Sequence, residues 1–317
     1  MPTPVLIVLI VLVGAYVIVA GIASLGFVLA RRENPPPAPS EWPSVSVVVP
    51  AAEASARETV QQIQDCDYPS DRLEFLVSSD DPDGEIVLTA PAGGTPDSEW
   101  IRTMARRCTP DTPVVVGPTV VEHEGLFLPR LQALAHLGRL AFTAGTSHLG
   151  LPSPAEASNR AVRVDARSPD DASGEMPREG APAFNLEPEA LVARPAVESF
   201  AALLRRLAGG FQDVFRSSSW LVRAQGIGLW LLHSVLLACA LVAVAVPAWR
   251  QPTLLALVAT MGANVVLALP AAKHYGQRGL LRSVVPTVLM LVLALPVAGL
   301  WAVTLPSSSQ DPEPKSS

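Results

Sequence analysis

Pro43-Ser-Val-Ser-Val-Val-Val-Pro50 and Asp67-Tyr-Pro-Ser-Asp-Arg-Leu-Glu-Phe-Leu-Val77 are the two stretches whose reading decides the fold. Val45–Val49 is a short β-branched run bounded by prolines. Apolar residues at consecutive positions, rather than alternate ones, are what a strand needs when both faces of its sheet are covered. Leu73–Val77 reads as the next strand. Between them, Ala54–Gln64 carries Ala56, Val60 and Ile63 on one helical face. Working outward, Glu85–Thr89 and Thr112–Val116 are further strands, the second preceded by a helix that includes Trp100–Arg107. Alternating strands and helices predict an α/β domain with a mostly parallel sheet. Ligands of such sheets bind beyond the carboxyl ends of the strands. The segments after Val49, Val77 and Thr89 are therefore where a site is expected.

Further along, Gly125–Leu140 places Leu126, Phe127, Leu131, Leu134 and Leu137 at helical spacing, a stripe expected to face the core. Asp165–Pro182 is rich in Pro, Ser, Gly, Asp and Glu and reads as a loop. Val197–Phe215 reads as an amphipathic helix carrying Arg205 and Arg206, suited to a membrane surface.

The composition is that of a membrane protein. Of 317 residues, 49% are hydrophobic and 16% charged, against about 25% charged in ordinary soluble domains. Val5–Ala30 holds no charge and is long enough to span a bilayer. No basic residue precedes it and it is long for a signal-peptide core, so an uncleaved anchor is expected. Ile227–Val246, Thr253–Ala272 and Ser283–Leu305 are three further apolar runs. Arg31, Arg32, Arg205, Arg206, Arg216 and Arg223 flank one side of the spans, with Lys273, Arg278 and Arg282 on the same side. The positive-inside rule then puts both termini outside and the region from Arg31 to about Arg223 in the cytoplasm. The expected localisation is integral and multi-pass. No acidic residue lies in any span, which argues against an ion-coupled transporter. The net charge of −6 argues against a nucleic-acid partner. Three distant cysteines and five scattered histidines offer neither a disulfide framework nor metal-ligand spacing.

From about Pro43 to Trp230 the chain resembles membrane-bound family 2 glycosyltransferases of the cellulose-synthase-like, GT-A type. Asp67–Val77 is the strongest local match. Gly84-Glu-Ile-Val-Leu88, Trp100-Ile101, Val115-Val-Gly-Pro118, Gly125-Leu-Phe127 and Phe184–Val192 follow in the family's order. The resemblance implies a truncated, Rossmann-like GT-A domain joined to about four transmembrane helices, in a bacterial inner membrane. The expected organisation is an anchor at 1–32, a Pro-rich linker at 33–42 and the α/β domain at 43–196. An interfacial helix region follows at 197–226, then three transmembrane helices at 227–306 and a tail at 307–317.

The family transfers sugar from a nucleotide diphosphate donor. An Asp-x-Asp pair holds Mg²⁺ or Mn²⁺ on the diphosphate, where the metal offsets the leaving group's charge. A carboxylate deprotonates the acceptor. Here the Asp-x-Asp position reads Pro91-Ala92-Gly93, which offers no ligand. The acceptor-base region, Ala172–Met176, retains only Glu175. At the Gln-x-x-Arg-Trp position only Arg206 survives, between Leu203 and Leu207. One register puts Ser78-Ser79 at the Asp-rich turn after the second strand, and a shifted one puts Asp80 there. Asp83 fits the closing Asp of the unshifted register, and an acidic turn without a ligand accounts for either. A strand and helix of some thirty residues that shape the family's donor site are absent between Asp83 and Gly84.

The resemblance therefore implies a catalytically inactive relative, an interaction or regulatory subunit of polysaccharide or glycolipid assembly. Its expected partners are the lipid bilayer and membrane glycan-assembly proteins, with no cofactor. The alternative is an active inverting transferase with a variant site: Glu175 as base, Asp80, Asp83 and Arg206 on the nucleotide, and Mg²⁺ or Mn²⁺ only in that case.

Overall fold

The computed structural model describes residues 3–49, 59–77, 82–152, 158–166 and 182–304. The chain divides into two compact units. One comprises Ala15–Ala196 with Ala259–Thr287, the other Met1–Gly14, Val197–Val258 and Val288–Ser317.

The first unit is an α/β domain. Strands β1 (Val45–Val49), β2 (Leu73–Val77) and β3 (Ile86–Thr89) pair in parallel, with β1 in the middle. Three more strands continue this sheet: β5 (Val114–Val116), β7 (Arg160–Arg163) and β8 (Ala183–Phe184). The order is β2-β1-β3-β7-β5-β8, and β7 runs against both neighbours, so the sheet is mixed. A small second sheet joins β4 (Thr95–Pro96), β9 (Val192–Arg194) and β6 (Thr119–Val121).

The valines at alternate positions of β1 are fully buried. They pack with Ile86, Leu88, Val115 and Ala161 under Trp100, Ile101 and Met104 of helix α2 (Trp100–Arg107). Parallel neighbours ordinarily need a crossover of about a dozen residues or more, usually helical. Here eight residues, 78–85, lead from the end of β2 to the start of β3. The return passes so close to β1 that a Cβ on Gly84 would lie 2.6 Å from the Ser46 backbone nitrogen. Eight residues leave no room for a further strand and helix between β2 and β3.

The other face of the sheet is covered by helix α3 (Phe127–His148). Leu134, Leu137, Ala141 and Ala144 pack with Val116, Val120 and Phe184 of the sheets. The same cluster takes in Ala20, Ala23 and Phe27 of helix α1 (Thr3–Ala30). It also takes in Ala263, Leu267 and Ala271 of helix α6 (Arg250–His274). Leu126 and Phe127, expected in the core, are 65% and 68% exposed. The helix begins only at Phe127, after Gly125 turns the chain with φ +81°, so these two side chains precede the packed turns.

The segment after α1 is fastened along the domain. Glu33 pairs with Arg107 at 2.7 Å and lies 3.0 Å from His148. Arg72 pairs with Glu41 and donates to the Trp42 carbonyl at 2.7 Å. Tyr68 donates to the Pro43 carbonyl at 2.6 Å.

The second unit is helical. Helix α4 (Phe200–Arg216) is capped by Ser199, whose hydroxyl accepts from the Ala202 N–H. It buries Ala208 and Phe211 against Leu295, Ala298 and Ala302 of helix α7 (Val284–Thr304). Helix α5 (Trp220–Ala245) carries Trp230, whose indole N–H donates to the Pro296 carbonyl at 3.2 Å and covers Gly299. Pro270 and Pro296 lie inside continuous helices, as the apolar spans allow. Four segments, Pro4–Ala30, Trp220–Ala245, Pro247–His274 and Arg278–Thr304, are long and apolar enough to cross a membrane.

Candidate functional site

The carboxyl ends of β3, β5 and β8, with the start of the antiparallel β7, form one edge of the sheet. Asn159 braces this edge. Its amide donates to the carbonyls of Pro118 at 2.8 Å and Ala190 at 3.0 Å and accepts from the Trp100 indole at 3.1 Å. Gly117 lies so close to it that any Cβ there would strike the Asn159 amide.

At the end of β3 the chain closes in a tight turn, Pro91-Ala92-Gly93-Gly94. The Gly94 N–H donates to the Pro91 carbonyl at 2.9 Å, and Gly93 takes φ +68°. A positive φ at the third position calls for glycine. The Gly93 N–H donates to the Thr59 hydroxyl at 2.8 Å. The position expected for a metal-holding Asp-x-Asp pair is thus a backbone turn whose side chains carry no oxygen or nitrogen. These residues do not fit Mg²⁺ or Mn²⁺. No group of three or more His, Cys, Asp or Glu that could hold a metal occurs among the described residues.

The sequence-based candidates fall in separate places. Asp80 and Glu175 lie outside the described residues. Asp83 is exposed, and its backbone N–H donates to Glu74 Oε1 at 2.8 Å. Glu74 also accepts from the Ser46 hydroxyl, and Ser46 in turn accepts from the Gly84 N–H at 2.8 Å. Ser46 and Glu74 are register partners near the starts of β1 and β2. Asp83 therefore sits at the amino end of these strands, opposite the edge where such sheets hold ligands. Arg206 lies on the exposed side of α4, in the second unit.

A cluster absent from the sequence reading lies against the carboxyl edge. Gln132, His136, Arg139 and Thr143 follow one another at steps of four, three and four along α3, which places them on one helical face. His136 is buried. Its Nε2 lies 2.7 Å from the Thr119 hydroxyl and 2.9 Å from the Thr119 carbonyl. Its Nδ1 is met by Arg194 Nη2 at 3.0 Å and Arg139 Nη2 at 3.3 Å. Guanidinium groups only donate, so Nδ1 accepts and the proton of the neutral ring is on Nε2, facing the Thr119 carbonyl. Arg194 is 7% exposed, whereas Arg139 is open to solvent. A cavity of about 10 Å³, the room of one water, is lined by Val116, Gly117, Thr119, His136, Arg139 and Thr143 among others. The polar spacing along α3 was the available signal. The leucines between these residues drew the reading to the apolar face instead.

No protein-family model matches the chain, and no curated protein matches it by sequence. Among solved structures it is similar to a mannosyltransferase from Pyrobaculum calidifontis in complex with GDP-Man and Mn²⁺. The match has a TM-score of 0.56 and 17% identity, and covers 94% of this chain and 99% of the other. At that identity the likeness shows the fold: a glycosyltransferase-like α/β domain together with apolar helices.

Proposed function

We propose that this chain is a membrane protein of glycosyltransferase fold that does not transfer sugar, and that serves as an interaction or regulatory subunit in polysaccharide or glycolipid assembly. The observation that carries the reading is the Pro91–Gly94 turn. Where the resemblance calls for two metal-holding carboxylates, the chain has backbone hydrogen bonds and a left-handed glycine. Metal stabilisation of a leaving phosphate is worth several kcal/mol. The arginine distribution supports a cytoplasmic α/β domain with both termini outside. The partners in this reading are the bilayer and other membrane proteins of glycan assembly.

The likeness to a mannosyltransferase over 94% of the chain favours a second reading. In it the chain is an active inverting transferase with a variant site, Glu175 being the base and Asp80, Asp83 and Arg206 contacting the nucleotide. One assay separates the two. Detergent-purified protein is incubated with GDP- and UDP-sugars, with and without Mn²⁺, and sugar transfer is followed. The first reading expects none. Transfer that Glu175→Gln abolishes overturns it and establishes the second.

A further inference from the structure

We infer that Arg31 and Arg32 at the end of α1, with Lys273, Arg278 and Arg282 between α6 and α7, form a site for the headgroup of an anionic phospholipid. The inference goes beyond the absence of sugar transfer and takes from that reading only the bilayer around the apolar helices. All five side chains are exposed, and none has an ion-pair or hydrogen-bond partner among the described residues. From Ala259 to Thr287 the sequence contains no acidic residue. The nearby carboxylate of Glu33 is taken by Arg107 at 2.7 Å and His148 at 3.0 Å. On a chain of net charge −6 these five residues make a positive patch without a counter-charge of its own.

The fold gathers these residues from two packed helices. Ser24 Oγ of α1 donates to the Val266 carbonyl of α6 at 2.9 Å, and further along the Phe27 and His274 rings meet edge-on with centroids 6.3 Å apart. The contacts advance together, so the two helices run in the same direction and end at one level. Arg31 follows Phe27 by one turn, its N–H bonding the Phe27 carbonyl at 3.1 Å, and so leaves α1 on the side that meets His274. Lys273 immediately precedes His274. The loop beyond is braced. His274 Nε2 and the Tyr275 hydroxyl both donate to the Leu186 carbonyl, at 2.7 and 3.3 Å, and the Gln277 N–H bonds the Ala272 carbonyl at 2.8 Å. Leu280 is buried in the cluster shared with α1 and α3, so Arg278 and Arg282 are displayed from a fixed turn on either side of it. Packed helices lie about 8–10 Å apart, near the Debye length of about 8 Å at physiological salt, so these cations act as one field. Orienting helices in a bilayer needs cations on one side only; it does not need them gathered on a braced corner. The patch lies at the ends of the apolar segments Pro4–Ala30, Pro247–His274 and Arg278–Thr304, the level of the lipid headgroups. A headgroup is held at that level by its own acyl chains, which favours a lipid over a soluble anion.

The test is native mass spectrometry of the delipidated full chain in detergent, titrated with phosphatidylglycerol and with phosphatidylcholine of the same acyl chains. Each basic residue near a membrane surface adds about fivefold to the binding of an anionic lipid. Phosphatidylglycerol is therefore expected to bind about a hundredfold more tightly than phosphatidylcholine. Combining Lys273→Gln, Arg278→Gln and Arg282→Gln removes most of that preference and leaves phosphatidylcholine binding unchanged. The charge-conserving set Lys273→Arg, Arg278→Lys and Arg282→Lys retains it. These residues are exposed, so the variants are expected to keep the wild-type Tm in lipid-free detergent, which separates lost binding from lost folding. Arg31→Gln with Arg32→Gln supplies a second, independent variant with the same direction of effect. Equal affinity for the two lipids, undiminished phosphatidylglycerol binding in both glutamine variants, or equally tight binding of glycerol 3-phosphate overturns the inference. Flotation of the wild-type protein with phosphatidylcholine liposomes reports the bilayer association separately. A failure of the lipid preference leaves both that association and the absence of sugar transfer standing, and sugar transfer leaves the lipid site standing.

Discussion

Glu74 shows how one carboxylate can hold a loop in place. The Ser46 hydroxyl beside it holds its pKa below the ordinary value of 4.5; burial opposes this, and the backbone N–H groups of Asp83 and Gly84 add to the lowering. A depressed carboxylate contributes stability that is present above its unfolded pKa and lost as pH falls through the lower folded value. Glu74→Gln is expected to lower the Tm at pH 7, and the gap to wild type to close as the pH falls below about 4. Thermal unfolding of both proteins across pH checks this, and a gap that persists in acid assigns Glu74 a purely steric role. The same hydrogen bonds explain why an acidic turn was ambiguous as sequence. Asp83 is engaged through its backbone, which its side chain does not advertise. Pro91–Gly93, by contrast, is legible in the sequence as a turn, and Pro, Ala and Gly supply no ligating side chain in any conformation.

Among the elements, α3 has two buried faces and one close crossing. Gly26 of α1 and Gly145 of α3 meet there, and a Cβ on either would run into the other helix's backbone, at the Ala23 carbonyl or the Gly145 carbonyl. Gly145→Ala is expected to cost about 1–3 kcal/mol, by overpacking. Gly138→Ala, on the same helix with nothing within 4 Å of its Cβ, is expected to be neutral or stabilising. Detergent Tm values of the two variants decide it, and equal values sink the crossing as a determinant of stability. This crossing is also why the helix outran its sequence reading. Gly125–Leu140 was legible through its leucines, but Ala141–His148 is rich in Ala, Gly, Thr and Ser and carries no strong period. Close packing on α1 selects those small residues, so tertiary contacts rather than propensity extend the helix. Strands β1 and β2 were legible to the residue, because β-branched and apolar runs between turn residues admit few alternatives. Strands β4, β6, β8 and β9 have two or three residues each, too few for a period to show.

For the molecule as a whole, the four apolar segments were read directly from hydropathy, since a bilayer span needs only length and the absence of charge. The proposed orientation, with the α/β domain in the cytoplasm, yields a prediction. With native cysteines replaced, a single cysteine at the exposed Asp111 is expected to react with a membrane-impermeant maleimide only after the cytoplasmic membrane is opened. Labelling in intact cells reverses the proposed topology. The native thiols themselves make poor reporters. Cys66 and Cys108 are buried, and burial pushes their pKa values up to about 11 and about 12.

The cluster shared by α1, α3 and α6 has a further consequence, for biosynthesis. Phe27 leaves the ribosome before Leu137 of the same cluster, and Ala263 and Leu267 follow later still. At ordinary elongation rates the interval between α3 and α6 lasts on the order of ten seconds. Throughout it the cluster that α6 completes stays open on a nascent chain already carrying α1. Completion of the α/β domain therefore depends on the late helix reaching its place, and a chain truncated before Ala259 is expected to be a substrate for quality-control proteases, not a soluble fragment.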